Sequence, residues 1–132
     1  VLIGTDDNID KTLPSNIISI HRTNSQKELA EIYSSAFVLI NPTREDNYPT
    51  VNMEAIACGT PVITFNTGGS PEMLTAKTGI VTKEKTAQSI LKELDNVEKI
   101  NREDCVKAAK RFDMNEKFNE YIKLYKEVME KN

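Results

Sequence analysis

Residues 41–72 read NPTREDNYPTVNMEAIACGTPVITFNTGGSPE, a stretch that gathers acids, prolines, glycines and short apolar runs. Pro49 sits between Asp46 and Glu54. Because proline lacks an N–H and disfavours helix in the residue before it, the spacing predicts a helix that starts after Tyr48, with Thr50 as its cap. Asp46 then falls in the loop and Glu54 in the first turn or so of the helix, so that both carboxylates can face one cleft. Open N–H groups at Val51, Asn52 and Met53 would form a natural seat for a phosphate. Carboxylates beside such a seat make sense as acceptors for neighbouring hydroxyls, to which an ionised carboxylate bonds strongly. A nucleotide-sugar carries both groups. Downstream, TGGSPE (residues 67–72) offers Gly68 and Gly69, which let backbone approach a ligand, Ser70 as a cap and Pro71 at a first helical position. That is a second helix start on the same rim.

Outward from this stretch, strand-like runs alternate with amphipathic helix-length segments, the order expected of a parallel α/β sheet. The runs are residues 1–5, 16–22, 37–42, 61–66 and 78–82. Several are apolar on consecutive residues, such as FVLI (37–40), which suits strands covered on both faces. SQKELAEIYSSA (25–36) opens with a capping box, Ser25 and Glu28, and places Leu29, Ile32, Tyr33 and Ala36 on one face. TAQSILKELDNV (86–97) repeats this with Ala87, Ile90, Leu91 and Leu94, and NREDCVKAAKRF (101–112) starts at an Asn101 cap. From Asn115 the tail carries Phe118, Tyr121, Ile122, Tyr125, Val128 and Met129 at helical spacing, as core packing or as a helix meant for another domain. In a doubly wound sheet a ligand sits beyond the carboxyl ends of the strands. The expected lining is therefore residues 4–7, 22–25, 41–48 and 66–70.

With 132 residues, 39% of them hydrophobic and 28% charged, the chain suits one domain with a core of its own. Cys58 and Cys105 lack metal-ligand or CxxC spacing and read as reduced thiols in a cytoplasmic setting. A net charge of −3 argues against a nucleic-acid partner. The chain opens without methionine on VLIGT, already a strand running into a turn, so a piece of a longer polypeptide is expected.

The run EDNYPTVNMEAIACGTPVITFNTGGSPE (45–72) resembles the donor-side signature of the family 4 (group 1) retaining glycosyltransferases of the GT-B fold: acid, seven residues, acid, then A-x-A-x-G-x-P-V-I and a Gly-Gly-x-x-Glu turn. VLIGT resembles the second strand of their carboxyl-terminal Rossmann-like domain, IISIHR (17–22) the third and FVLINP (37–42) the fourth. The resemblance implies a nucleotide-diphosphate-sugar donor, no cofactor and no metal. Glu54 matches the acid that holds the donor ribose, and Asp46 the acid near the transferred sugar. The first acid is usually Glu, and Glu45 stands one place early, so Glu45 and Asp46 both remain candidates. Asn47, Tyr48, Pro49, Thr50 and Val51 match the segment whose amides meet sugar and diphosphate, while Arg22 and Thr23 match the loop where the base rests. Asn47-Tyr48-Pro49 replaces the usual Gly-aromatic-Gly, removing one N–H.

The same resemblance implies partners outside this chain: an amino-terminal acceptor domain, a glycan or lipid-linked acceptor, and the cations that clamp the diphosphate. Bacterial polysaccharide assembly, with the parent cytoplasmic or peripheral at the inner face of the membrane, follows from family habit. If the family strand order 3-2-1-4-5-6 applies, the absent first strand is the central one, and the piece would close the gap, pair with another copy or exchange strands. Two other function classes stand as alternatives: a carboxylate-pair glycosidase and a non-catalytic nucleotide-binding or interaction module. Asp6, Asp7 and Asp10 lack EF-hand spacing and read as a solvated turn, and His21 reads as a structural or loop residue.

Overall fold

The apolar runs become parallel strands shorter than the sequence suggests. The computed structural model describes residues 1–131 and separates into two compact units, one over Val1–Ile32 and one from Tyr33 onward. In the first unit β1 (Leu2–Ile3) and β2 (Ser19–Ile20) pair in parallel, Leu2 opposite Ser19 and Ile3 opposite Ile20. They are joined through α1 (Asp7–Asp10), whose N-cap Asp6 accepts the Asn8 and Ile9 N–H groups. The expected solvated acidic turn is thus one capped helical turn. Leu2 and Ile3 are 42% and 40% exposed, so the expectation of strands covered on both faces fails here. A two-stranded ribbon beside a four-residue helix has too little surface to cover them.

α2 (Gln26–Ser35) opens in the first unit with a shifted form of the expected box. The Glu28 N–H donates to Ser25 Oγ at 3.1 Å, but the Glu28 carboxylate reaches back to the Asn24 N–H at 2.6 Å instead of the Ser25 N–H.

The second unit is built on β3 (Leu39–Asn41), β4 (Val62–Phe65) and β5 (Gly79–Thr82), hydrogen-bonded in that order and all parallel. Parallel neighbours need a crossover, and between β3 and β4 it is α3 (Thr50–Ala57). Burial on both faces falls to β4, every residue of which is buried, whereas Phe37 and Ile40 of the FVLI run are exposed. Ile63 and Phe65 of β4 form the core with Ile90 and Val97, against which Val38, Ile80 and Leu94 pack. Ile90 belongs to α4 (Ala87–Leu91) and Val97 to α5 (Leu94–Val97), two short helices where one was expected, and Leu91 lies outside the buried face. α6 (Arg102–Ala109) starts at the expected Asn101 cap, which accepts the Glu103 N–H at 2.8 Å. α7 (Met114–Glu130) is capped by Asp113. None of its side chains is buried, which rules out core packing within this chain.

Each unit is built on parallel strands, β1–β2 in one and β3–β4–β5 in the other. The fold is therefore the α/β, Rossmann-like arrangement expected.

Candidate functional site

Two loops meet at the carboxyl ends of β3 and β4. After β3 the chain runs through residues 42–49 into α3, and after β4 it turns through residues 66–70. The Gly69 N–H donates to the Asn47 carbonyl at 2.9 Å. Gly68 has φ +50, and a Cβ there would lie 1.8 Å from the Asp46 carbonyl oxygen; one on Gly69 would lie 2.2 Å from the Asn47 oxygen. Only glycine lets the two backbones approach this closely; the sequence suggested an approach to a ligand, and the space is taken instead by the loop after β3. Below them, Asn41 Nδ2 donates to Oδ1 of the fully buried Asn52 at 2.9 Å, tying the end of β3 to α3.

α3 does not start as expected. Pro49 occupies the cap position with extended backbone and no side-chain cap bond, and Thr50 is the first helical residue. Proline favours this because its φ is already set and its missing N–H costs the helix nothing. The Asn52 N–H is taken by the Pro49 carbonyl at 3.1 Å. Among the described residues, the Thr50 and Val51 N–H groups have no hydrogen-bond partner, and they remain the open donors of the helix start. The second helix start is also smaller: Pro71–Met73 is a single 3₁₀ turn, and Ser70 makes no side-chain cap bond. The buried hydroxyls of Thr67 and Ser70 have no protein partner among the described residues. Arg111 holds this turn from outside by donating to the Glu72 and Met73 carbonyls.

Glu45, Asp46, Asn47 and Tyr48 are all exposed, as is Thr50, while Glu54 is half-buried in the second turn of α3. Asp46 Oδ1 accepts the Tyr48 N–H at 3.0 Å, folding that carboxylate back onto its own loop. Val51 is 38% exposed. Among the described residues no ion pair engages Glu54. Its Oε2 instead accepts the phenolic hydrogen of Tyr33 at 3.1 Å. Burial, then the charge of Glu54 and the bond to it, push the Tyr33 phenol above its ordinary value, so it stays a donor. Tyr33 is the residue that sequence pattern missed. Helical spacing assigned it to the apolar face of α2, and the one hint was a hydroxyl in an otherwise aliphatic stripe, which needs a partner when buried.

Arg22, exposed, and Thr23, half-buried, follow β2 in the first unit. That unit also assembles a cluster unforeseen in sequence. His21 Nε2 lies 2.6 Å from Asp10 Oδ2 and 3.8 Å from Asp7 Oδ1, and Asp10 Oδ1 accepts Ser19 Oγ at 2.5 Å. One ligand atom from each of Asp7, Asp10 and His21 falls within 4.8 Å of the others, a set chemically able to hold a divalent ion. The bonds from Ser19 and then His21 lower the Asp10 pKa, and the bond to Asp10 raises that of His21.

Comparison with known proteins places this architecture. Residues 6–117 match the family described as Glycosyl transferases group 1. A D-inositol 3-phosphate glycosyltransferase from Streptomyces bingchenggensis is 42% identical over 57 residues, 43% of this chain and 12% of that protein. A probable sucrose-phosphate synthase from Thermosipho melanesiensis is 32% identical over 107 residues, 76% of this chain and 25% of its own length. The chain thus spans a quarter or less of these curated relatives. The solved structure of sucrose-phosphate synthase from Thermosynechococcus elongatus superposes with a TM-score of 0.71 at 21% identity, over 94% of this chain and 33% of that one, and shares its fold. The chain belongs to the group 1 glycosyl transferases.

Proposed function

We propose that this chain is the donor-binding part of a retaining glycosyltransferase that takes sugar from a nucleotide-diphosphate-sugar. The observation that carries the reading is the state of α3. Its start keeps the Thr50 and Val51 N–H groups open, and Glu54, one turn beyond Thr50, carries a carboxylate outside any ion pair of the described residues. Residues four apart lie on one helix face, and side chains lean toward the amino terminus. In this reading the open amides receive diphosphate oxygens and Glu54 accepts from the ribose diol. Glu45 or Asp46, with Asn47 and Tyr48, lies beside the transferred sugar. As the nucleoside diphosphate departs, positive dipole at the helix start stabilises the growing charge, and the reading requires no metal.

The acceptor and its domain lie outside this chain in the same reading, with a glycan or lipid-linked glycan as acceptor class. The relatives are named for inositol 3-phosphate and sucrose phosphate, so a small phosphorylated polyol or sugar is an acceptor to test beside them. A carboxylate-pair glycosidase leaves the open amides without a role. The test is glycosyl transfer by the full-length protein with UDP-, GDP- and ADP-sugars. Glu54→Ala is expected to cut donor turnover at least tenfold, the scale of one lost charge-assisted bond of about 1.5–3 kcal/mol. Turnover by that variant at the unmodified rate defeats the reading.

A further inference from the structure

We infer that Tyr33 is a positioning residue for the donor ribose, holding one oxygen of the Glu54 carboxylate so that the rest of the carboxylate is aimed at the diol. The inference rests on the donor-binding reading above. Four observations lead to it.

The Tyr33 hydroxyl donates to Glu54 Oε2 at 3.1 Å, and an ionised carboxylate, with about four acceptor positions, keeps most of its capacity after accepting one such bond. Glu54 is half-buried on a helix face and without an ion pair among the described residues. A long side chain in that state keeps several rotamers until something fixes it. Tyr33 is 8% exposed and itself held. Thr60 Oγ1 donates to the Tyr33 carbonyl at 2.5 Å, and Arg102 donates to Thr60 Oγ1 at 3.1 Å and to the Ser34 and Ala36 carbonyls at 2.5 and 2.9 Å. Thr60 is in turn fixed by its own N–H, which returns to the Ala55 carbonyl at the end of α3 at 2.8 Å. A rigid chain of contacts therefore runs from Arg102 through Thr60 and Tyr33 to one carboxylate oxygen. Finally, ionisation of the phenol beside Glu54 is opposed both by burial and by that charge, so the donor persists across the working pH range.

A tie between helices that served stability alone would leave ligand selectivity untouched. The experiment measures binding of UDP, GDP and ADP, and of their 2′,3′-dideoxy analogues, to the full-length protein by calorimetry. The wild-type protein is expected to prefer the ribonucleotide that it binds by about 10–100-fold, the range of one charge-assisted bond. Tyr33→Phe should shrink that preference about three- to tenfold while leaving affinity for the dideoxy analogue in place. Thr60→Val, which frees the Tyr33 carbonyl and spares the phenol, supplies a second arm with a smaller loss of preference. A wild-type preference in both variants overturns the role of Tyr33 and leaves the donor-binding reading standing. Equal loss of both ligands in Tyr33→Phe also overturns it, as a purely structural contact. Absence of any ribose preference in the wild-type protein removes the donor-binding reading and this inference together.

Discussion

The carbonyl of Asp46 lies where a side chain on Gly68 would begin: a Cβ built there falls 1.8 Å from that oxygen. The loop that follows β3 and the turn that follows β4 are locked together backbone to backbone, and the geometry of the acidic loop depends on a residue more than twenty positions away.

Gly68→Ala is therefore expected to be costly beyond its φ of +50. Gly4 has φ +85 with nothing within 4 Å of its Cβ position, so Gly4→Ala measures backbone strain alone. Gly68→Ala should destabilise by about 1–3 kcal/mol more than Gly4→Ala, the usual cost of overpacking. Thermal unfolding of the two variants checks this, and equal melting temperatures contradict the locked-loop geometry.

Glu45 and Asp46 should separate by chemistry. Asp46 Oδ1 accepts the Tyr48 N–H, a bond that an asparagine oxygen can also accept. If Asp46 acts by ordering its loop, Asp46→Asn retains turnover. Asp46→Ala loses roughly two- to tenfold, one neutral bond of about 0.5–1.5 kcal/mol. On the proposed reading, the exposed Glu45 is then the acid expected beside the transferred sugar. Glu45→Gln should lower kcat by about tenfold or more. Steady-state kinetics of the three variants decide it; a large loss in Asp46→Asn with little in Glu45→Gln reverses the assignment.

The local features of the fold were legible because their causes are local. The Asn101 cap acts within two residues of itself and is found as read. The glycine pair after β4 was legible as a close approach, though not what it approaches. Pairs distant in sequence were not legible. Tyr33 meets Glu54 across 21 residues and Arg102 meets Ser34 across 68, and no periodicity encodes such partners. Periodicity also misassigned β1 and the FVLI run, because an apolar sequence states what a strand can bury and not whether this chain supplies the cover. Thr50 lost the cap position because Pro49, with φ already fixed, fits it. The placement of Asp46 in the loop and Glu54 on the helix was legible, but of the N–H groups expected to be open that of Asn52 is bonded to Pro49, and the hydrogen bonds that hold the two carboxylates were not legible.

Stability of the first unit should follow pH through His21 and Asp10. Bonds from Ser19 and His21 hold the Asp10 pKa below its ordinary 3.8, so that contribution is present above about pH 4 and fades as pH falls through the lowered value. The bond to Asp10 holds the His21 pKa above 6.5, so that contribution is complete below that pH and fades as pH rises through the raised value. The two are present together between these limits. An NMR titration should show the His21 imidazole titrating above 6.5, and Asp10→Asn should bring it down. An imidazole that titrates at or below 6.5 in the wild-type chain contradicts the pairing.

The apolar side of α7 offers the last prediction. Phe118, Tyr121 and Tyr125 are 56%, 58% and 63% exposed, and the one ring contact among them, Tyr121 to Tyr125 with centroids 6.3 Å apart, lies within the helix. Side chains that already face water contribute little to the stability of the chain that carries them, and surface substitutions of this kind usually change it by less than about 0.5 kcal/mol. Phe118→Gln and Tyr125→Gln both keep good helix formers in place. In this 132-residue chain they should leave the melting temperature within a degree or two and raise solubility, since fewer apolar groups remain to drive association. A loss of 2 kcal/mol or more, which is about the scale of a buried-to-polar change, would mean that this face is packed against the rest of the chain in solution.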